Sequence, residues 1–156
     1  MMDQMILQAV EADTHAGYPL DAAAVLLIEA EGQRESVEEQ TAIICAICEK
    51  HHARAVRVAA NETERQLFWA GRKNAFGAVG RILPEFYVQD GVVPRTRLPY
   101  VLRRVGEICD SYGLRVGNVF HAGDGNLYPL ILFDSQIPGE VERVRKAGHE
   151  ILAVCA

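Results

Sequence analysis

Apolar positions recur along the chain with two periods, and the switches between them predict its elements. Met5, Ile6, Ala9 and Val10 fall at helical spacing and predict a short leading helix, followed by a loop through Gly17, Tyr18 and Pro19. The unbroken apolar run Ala22 to Ile28 predicts a buried strand, closed by the polar and turn chemistry of Glu29, Glu31 and Gly32. Ser36 and Glu39 have the spacing of a capping box, and Val37, Ile44, Ile47 and Cys48 then recur at helical period to about His51. Arg54 to Ala59 alternates polar and apolar like a second strand. Asn61 with Glu64 predicts the cap of a second helix running to about Gly80.

Glu85 to Val93 is rich in aromatic and β-branched residues and predicts a third strand, ended by Pro94, which cannot donate to a sheet ladder. Thr96 is the predicted cap of a third helix. Its apolar face is Leu98, Val101, Leu102, Val105, Ile108, Cys109 and Tyr112, and Gly113 sits where a left-handed cap belongs. Leu114 to His121 and Leu127 to Phe133 predict two further strands, joined by Ala122-Gly123-Asp124-Gly125-Asn126, whose glycines suit a tight loop. Val141, Val144, Gly148, Ile151, Leu152 and Cys155 predict a last helix that meets the end at Ala156 without a cap, as if the chain were a fragment cut inside an element. This order predicts an α+β fold with a ferredoxin-like, mainly antiparallel sheet and helices packed on one face.

Composition narrows the picture. The chain has 156 residues, 49% apolar and 24% charged, which predicts one domain with one core. At that length folding buries roughly 70% of the unfolded surface, so no metal or disulfide is required. The net charge is −5 and the basic residues are scattered, which excludes nucleic acid as a partner. No Lys or Arg precedes Arg34, and no apolar run approaches the length of a membrane span, so the expected location is cytoplasmic. Cys45, Cys48, Cys109 and Cys155 lie in apolar segments and are expected as reduced thiols.

Few residues suggest chemistry. The ends of His121-Ala-Gly-Asp-Gly-Asn-Leu-Tyr128 flank a hairpin loop and project from one face, where they would jointly touch a ligand or metal; a plain hairpin explains the same residues. Gly123 and Gly125 would let backbone amides approach a planar or anionic group. Arg72 lies four residues after Phe68 and four before Phe76, on an apolar helix stripe. Either its stem packs while the head reaches water, or the guanidinium forks to a carboxylate. Lys73, Arg95 and Arg97 read as surface charges, as do His15, His51, His52 and His149. Cys45 and Cys48 have the spacing of half a zinc site, but no second pair follows.

Trp69-Ala-Gly-Arg-Lys-Asn-Ala-Phe76, then Asp90-Gly-Val-Val-Pro-Arg95, then His121 to Pro129 together resemble the C-terminal domain of FAD-linked oxidases, and the resemblance covers almost the whole chain. It implies part of an FAD-dependent 2-hydroxyacid oxidoreductase of the glycolate or D-lactate type, with residues 1–156 forming part of the substrate pocket and flavin cap. By the resemblance Arg72 would hold the substrate carboxylate. His121 would be one ligand of a divalent metal that polarises the 2-hydroxyl, and Asp124 and Asn126 would face flavin and substrate. Tyr128 stands where the family has a second His, and a phenol with a reference pKa near about 10 is a poorer ligand than imidazole. An N-terminal FAD-binding domain and a later Glu-His-Gly segment are absent, so the chain alone is expected to bind neither metal nor FAD tightly and to have no turnover. The expected partners are the 2-hydroxy acid, the FAD-binding domain of the same protein, other oxidase subunits and a second copy. The rival reading is a non-enzymatic α+β binding or subunit-assembly module.

Overall fold

A computed structural model describes residues 1–156. In chain order the elements are β1 (Met2–Asp3), α1 (Gln4–Thr14), β2 (Ala24–Val25), α2 (Arg34–Lys50), α3 (Glu62–Lys73), α4 (Ala75–Val79), β3 (Glu85–Val88), β4 (Gly91–Val92), α5 (Leu98–Ser111), β5 (Arg115–Asn118), β6 (Asn126–Leu127), β7 (Pro129–Phe133) and α6 (Glu140–Cys155). The main sheet is antiparallel, in the order β3-β7-β5. Two-stranded antiparallel pairs join β1 to β2 and β4 to β6. The fold is α+β with antiparallel sheets, as expected, and its main sheet has three strands.

The central strand explains how the helices are placed. Leu130, Ile131 and Leu132 of β7 are all buried, so successive side chains on opposite faces both need cover. Ile131 pairs with Tyr87 and Val116 on the face where Val101, Val105 and Ile108 of α5 and Val144 and Ile151 of α6 form the core. Leu130 pairs with Gly117 on the other face, where α1 comes so close that a Cβ on Gly117 would stand 2.6 Å from Ile6 Cδ1. Phe76 of α4 meets Phe86 on that same face, with ring centroids 6.3 Å apart. Helices therefore cover both faces, not the single face expected.

Helix ends follow local chemistry in part. Asp3 caps α1 by accepting from the Ile6 amide at 3.1 Å, and burial raises its carboxyl pKa despite that bond. Asn61 accepts from the Glu64 amide at 2.9 Å, as expected, while the Glu64 carboxylate reaches back to the Ala60 amide at 2.7 Å. The expected long helix breaks at Asn74, and α4 restarts beyond it. Gly113, at φ 65°, ends α5: its amide bonds to Asp110 O at 3.0 Å, and that of Leu114 to Cys109 O at 2.9 Å.

Other expectations need correction. The run Ala22 to Ile28 yields only the two-residue β2, because β1 is the one edge it pairs with; Leu26 and Ile28 stay about half exposed, at 52% and 49%. Arg54 to Ala59 forms no strand, and Val56 and Val58 are exposed. Ser36 caps nothing: α2 starts at Arg34, so Ser36 is already inside it, where its hydroxyl accepts from Gln40. Thr96 lies within a 3-10 turn, Arg95–Arg97, that leads into α5. The third strand divides at Gln89 and Asp90 because the chain leaves β7 there to pair with β6.

The molecule has two compact units, residues 1–26 with 67–156, and residues 27–66. Every buried hydrophobic residue belongs to the first unit. In the second, α2 presents Val37, Thr41, Ile44, Cys45 and Cys48 as a half-buried face, and Arg57 pairs with Glu64 at 2.7 Å. The four cysteines are free thiols, and burial pushes Cys109 up to about 12. No helix is long and apolar enough to cross a membrane.

Candidate functional site

Arg72 sits in the last turn of α3, half-buried. Burial lowers its pKa, and the phenols of Tyr128 and Tyr18 oppose that effect. No carboxylate among the described residues is paired with it. Arginine keeps its charge in any such setting, so α3 delivers a half-desolvated cation beside two phenols.

The second candidate region is the hairpin. His121 and Asn126 bridge, their backbones exchanging bonds of 3.2 and 3.3 Å, and the Asp124 amide also bonds to His121 O, at 3.1 Å. Gly125 has φ 73°, and a Cβ there would stand 2.1 Å from Val93 O, with the Val93 amide bonded to Gly125 O at 2.9 Å. Close approach at Gly125 is thus to the chain's own strap, not to a ligand, as the sequence had suggested. Gly123 has nothing near its added Cβ.

Side chains then converge from the hairpin's end. Asn126 Nδ2 donates to the Tyr128 hydroxyl at 2.6 Å, while Asn126 Oδ1 is buried with no donor. The His121 ring lies edge-on to Tyr128, with centroids 6.3 Å apart. Val92 pairs with Asn126, which sets the second motif against the third, and Arg72 of the first lies within electrostatic range of Tyr128. What results is a cation, a phenol, an imidazole and an unfilled amide acceptor, a set that suits a small anion carrying a hydroxyl.

Not every candidate joins. Asp124 is exposed at the hairpin tip, whereas His121, also exposed, bridges Asn126 at the base of the loop and keeps its ring against Tyr128. No three His, Cys, Asp or Glu side chains are placed to hold a metal ion, so the residues present do not fit a metal centre. Lys73 is exposed, and Arg97 lies 5.7 Å over the Tyr100 ring. His15, His51, His52 and His149 are exposed, and Cys45 and Cys48 are half-buried on α2. The sequence reading missed Tyr18, whose hydroxyl donates to Phe68 O in α3. Its burial arises 50 residues away in the chain, so no local pattern announces it.

Comparison with known proteins gives a consistent picture. The family model described as FAD linked oxidases, C-terminal domain, matches residues 1–156. Glycolate oxidase subunit GlcD of Escherichia coli (strain K12) is 51% identical over 155 residues, covering 99% of this chain and 31% of the relative. The subunit of the same name from Bacillus subtilis is 36% identical over 150 residues, 96% of this chain and 32% of its own length. The mitochondrial D-lactate dehydrogenase [cytochrome] of Arabidopsis thaliana is 29% identical over 149 residues, 94% of this chain and 25% of that protein. The chain therefore spans about a third of the length of the curated GlcD relatives it matches.

Proposed function

Since the chain belongs to the family of FAD linked oxidase C-terminal domains, we propose that it forms part of the substrate pocket and flavin cap of an FAD-dependent oxidoreductase acting on small 2-hydroxy acids of the glycolate or D-lactate type. The observation that carries this reading is Arg72, half-buried with no carboxylate of its own and within electrostatic range of Tyr128 on the hairpin. In this role Arg72 takes the substrate carboxylate through charge-assisted hydrogen bonds and so fixes which carbon faces the flavin. Asn126, with Oδ1 lacking a donor, accepts from the substrate hydroxyl or from the flavin edge. Asp124 marks the exposed rim of the same loop.

The flavin, held mainly by a separate FAD-binding domain of the same protein, supplies the hydride acceptor. A metal in the whole protein would draw its further donors from outside these 156 residues, with His121 as this chain's contribution. Further oxidase subunits and a second copy of the chain belong to the same reading as partners. The free thiols fit a reducing cytoplasmic location. The rival reading, a binding or assembly module, draws on exposed Ile43 and Ile47 but leaves the unpaired Arg72 without a task.

The test is steady-state kinetics of the FAD-loaded full-length protein with glycolate and D-lactate. Arg72→Ala lowers kcat/KM by about tenfold to a hundredfold, the range of about 1.5–3 kcal/mol for hydrogen bonds to a charged group. Unchanged kinetics would remove Arg72 from the pocket and the reading with it.

A further inference from the structure

A chain of local bonds leads from α1 to the end of α3. After α1, His15 adopts the left-handed conformation at φ 48° and turns the backbone round. The Glu11 carboxylate then clamps the returning segment, accepting from the Gly17 amide at 2.9 Å and the Tyr18 amide at 3.0 Å. Tyr18 is consequently buried, at 8% exposure, although it lies in a loop. Its ring fills the space beside Gly71, where an added Cβ would stand 2.6 Å from Tyr18 Cε2, 2.9 Å from the hydroxyl and 3.0 Å from Val10 Cγ1. Its hydroxyl donates to Phe68 O, and its ring lies 6.5 Å from that of Phe68.

Phe68 is four residues before Arg72, so its carbonyl is the one an α-helix offers to the Arg72 amide. Arg72 is also two residues from the break at Asn74. A last turn followed by a break has helix on one side only and frays unless something outside holds it. We infer that Tyr18 is the positioning residue for Arg72: its hydroxyl on Phe68 O and its ring against Gly71 lock the last turn of α3 and so fix where the guanidinium points. This rests on the proposed reading only in giving that guanidinium a carboxylate to meet. It also explains why Gly71 lacks a side chain, since any Cβ would displace the ring that pins the turn.

The experiment is the rate of phenylglyoxal modification at each arginine, followed by peptide mass spectrometry on the full chain at neutral pH, with half-buried Arg104 and Arg143 as internal references. Tyr18→Phe keeps the ring and removes only the hydroxyl. The Arg72 rate is expected to rise about threefold or more, the scale of one lost hydrogen bond, while both references stay constant. Gly71→Ala, which forces the ring away, should raise the Arg72 rate as well. A general loss of stability would move all three arginines together, and either that result or an unchanged Arg72 rate in Tyr18→Phe overturns the inference. Protection of Arg72 by glycolate in the unsubstituted chain is read separately: its absence counts against the proposed substrate and leaves the effect of Tyr18 on Arg72 to stand or fall by the rates alone.

Discussion

Gly123 and Gly125 share one hairpin turn but meet opposite surroundings. At Gly125 the backbone has φ 73° and Val93 O occupies the place of a side chain, whereas Gly123 faces open space with no positive φ. Gly125→Ala should therefore cost more than about 2 kcal/mol, combining left-handed strain with a backbone clash, while Gly123→Ala stays within about 0.5 kcal/mol. Urea unfolding of the two variants checks this, and equal midpoints would mean that the Val93 strap does not hold the turn. Residue types were readable in the sequence at this scale: Arg72 stood out as a charge on an apolar stripe, and the hairpin by its Asx and Gly residues. Their partners were not readable. The Asn126 bond to Tyr128 and the Tyr18 bond to Phe68 depend on where side chains end up, which spacing does not encode.

Elements start where backbone geometry lets a side chain reach an amide, and three polar residues show the difference. Ser36, Asn61 and Thr96 all have cap chemistry, yet only Asn61 bonds an amide of its helix, the 2.9 Å contact from Glu64. Asn61→Ala should cost α3 about 1 kcal/mol, seen as faster hydrogen exchange at the Glu64 amide. Ser36→Ala and Thr96→Ala should each change stability by less than about 0.5 kcal/mol. If Asn61→Ala left the Glu64 exchange rate unaltered, its cap would carry no stability. Strands divide on a related ground. Leu127 to Phe133 became β6 and β7 because β4 on one side, and β3 and β5 on the other, gave it edges to pair with, whereas Ala22 to Ile28 had only the two residues of β1. Apolar content shows that a segment wants cover, not that a neighbour is there to provide it.

Across the whole molecule the two units differ in what they bury, and the cysteines report it. Cys109 lies in the core at 0% exposure with its thiol pushed up to about 12, while Cys45 and Cys48 are half-buried on α2 in the other unit. Only the thiolate reacts, and a raised pKa leaves less of it at any pH below that value. Iodoacetamide near pH 8 should label Cys45 and Cys48 well before Cys109, whose rate climbs as the pH is raised towards 12 for as long as the fold survives. Labelling of all three at one rate would show that the core opens as readily as the second unit. The sequence by itself determined the α+β class, the apolar face of α5 with its glycine end, and the three motifs that mark the family, because periodicity, turn chemistry and residue type are local properties. Only the tertiary structure decided that helices cover both faces of β7, that the run Ala22 to Ile28 pairs at two residues only and Arg54 to Ala59 at none, and that Tyr18 reaches α3, because each depends on which distant surface remains free to be covered once the chain is closed.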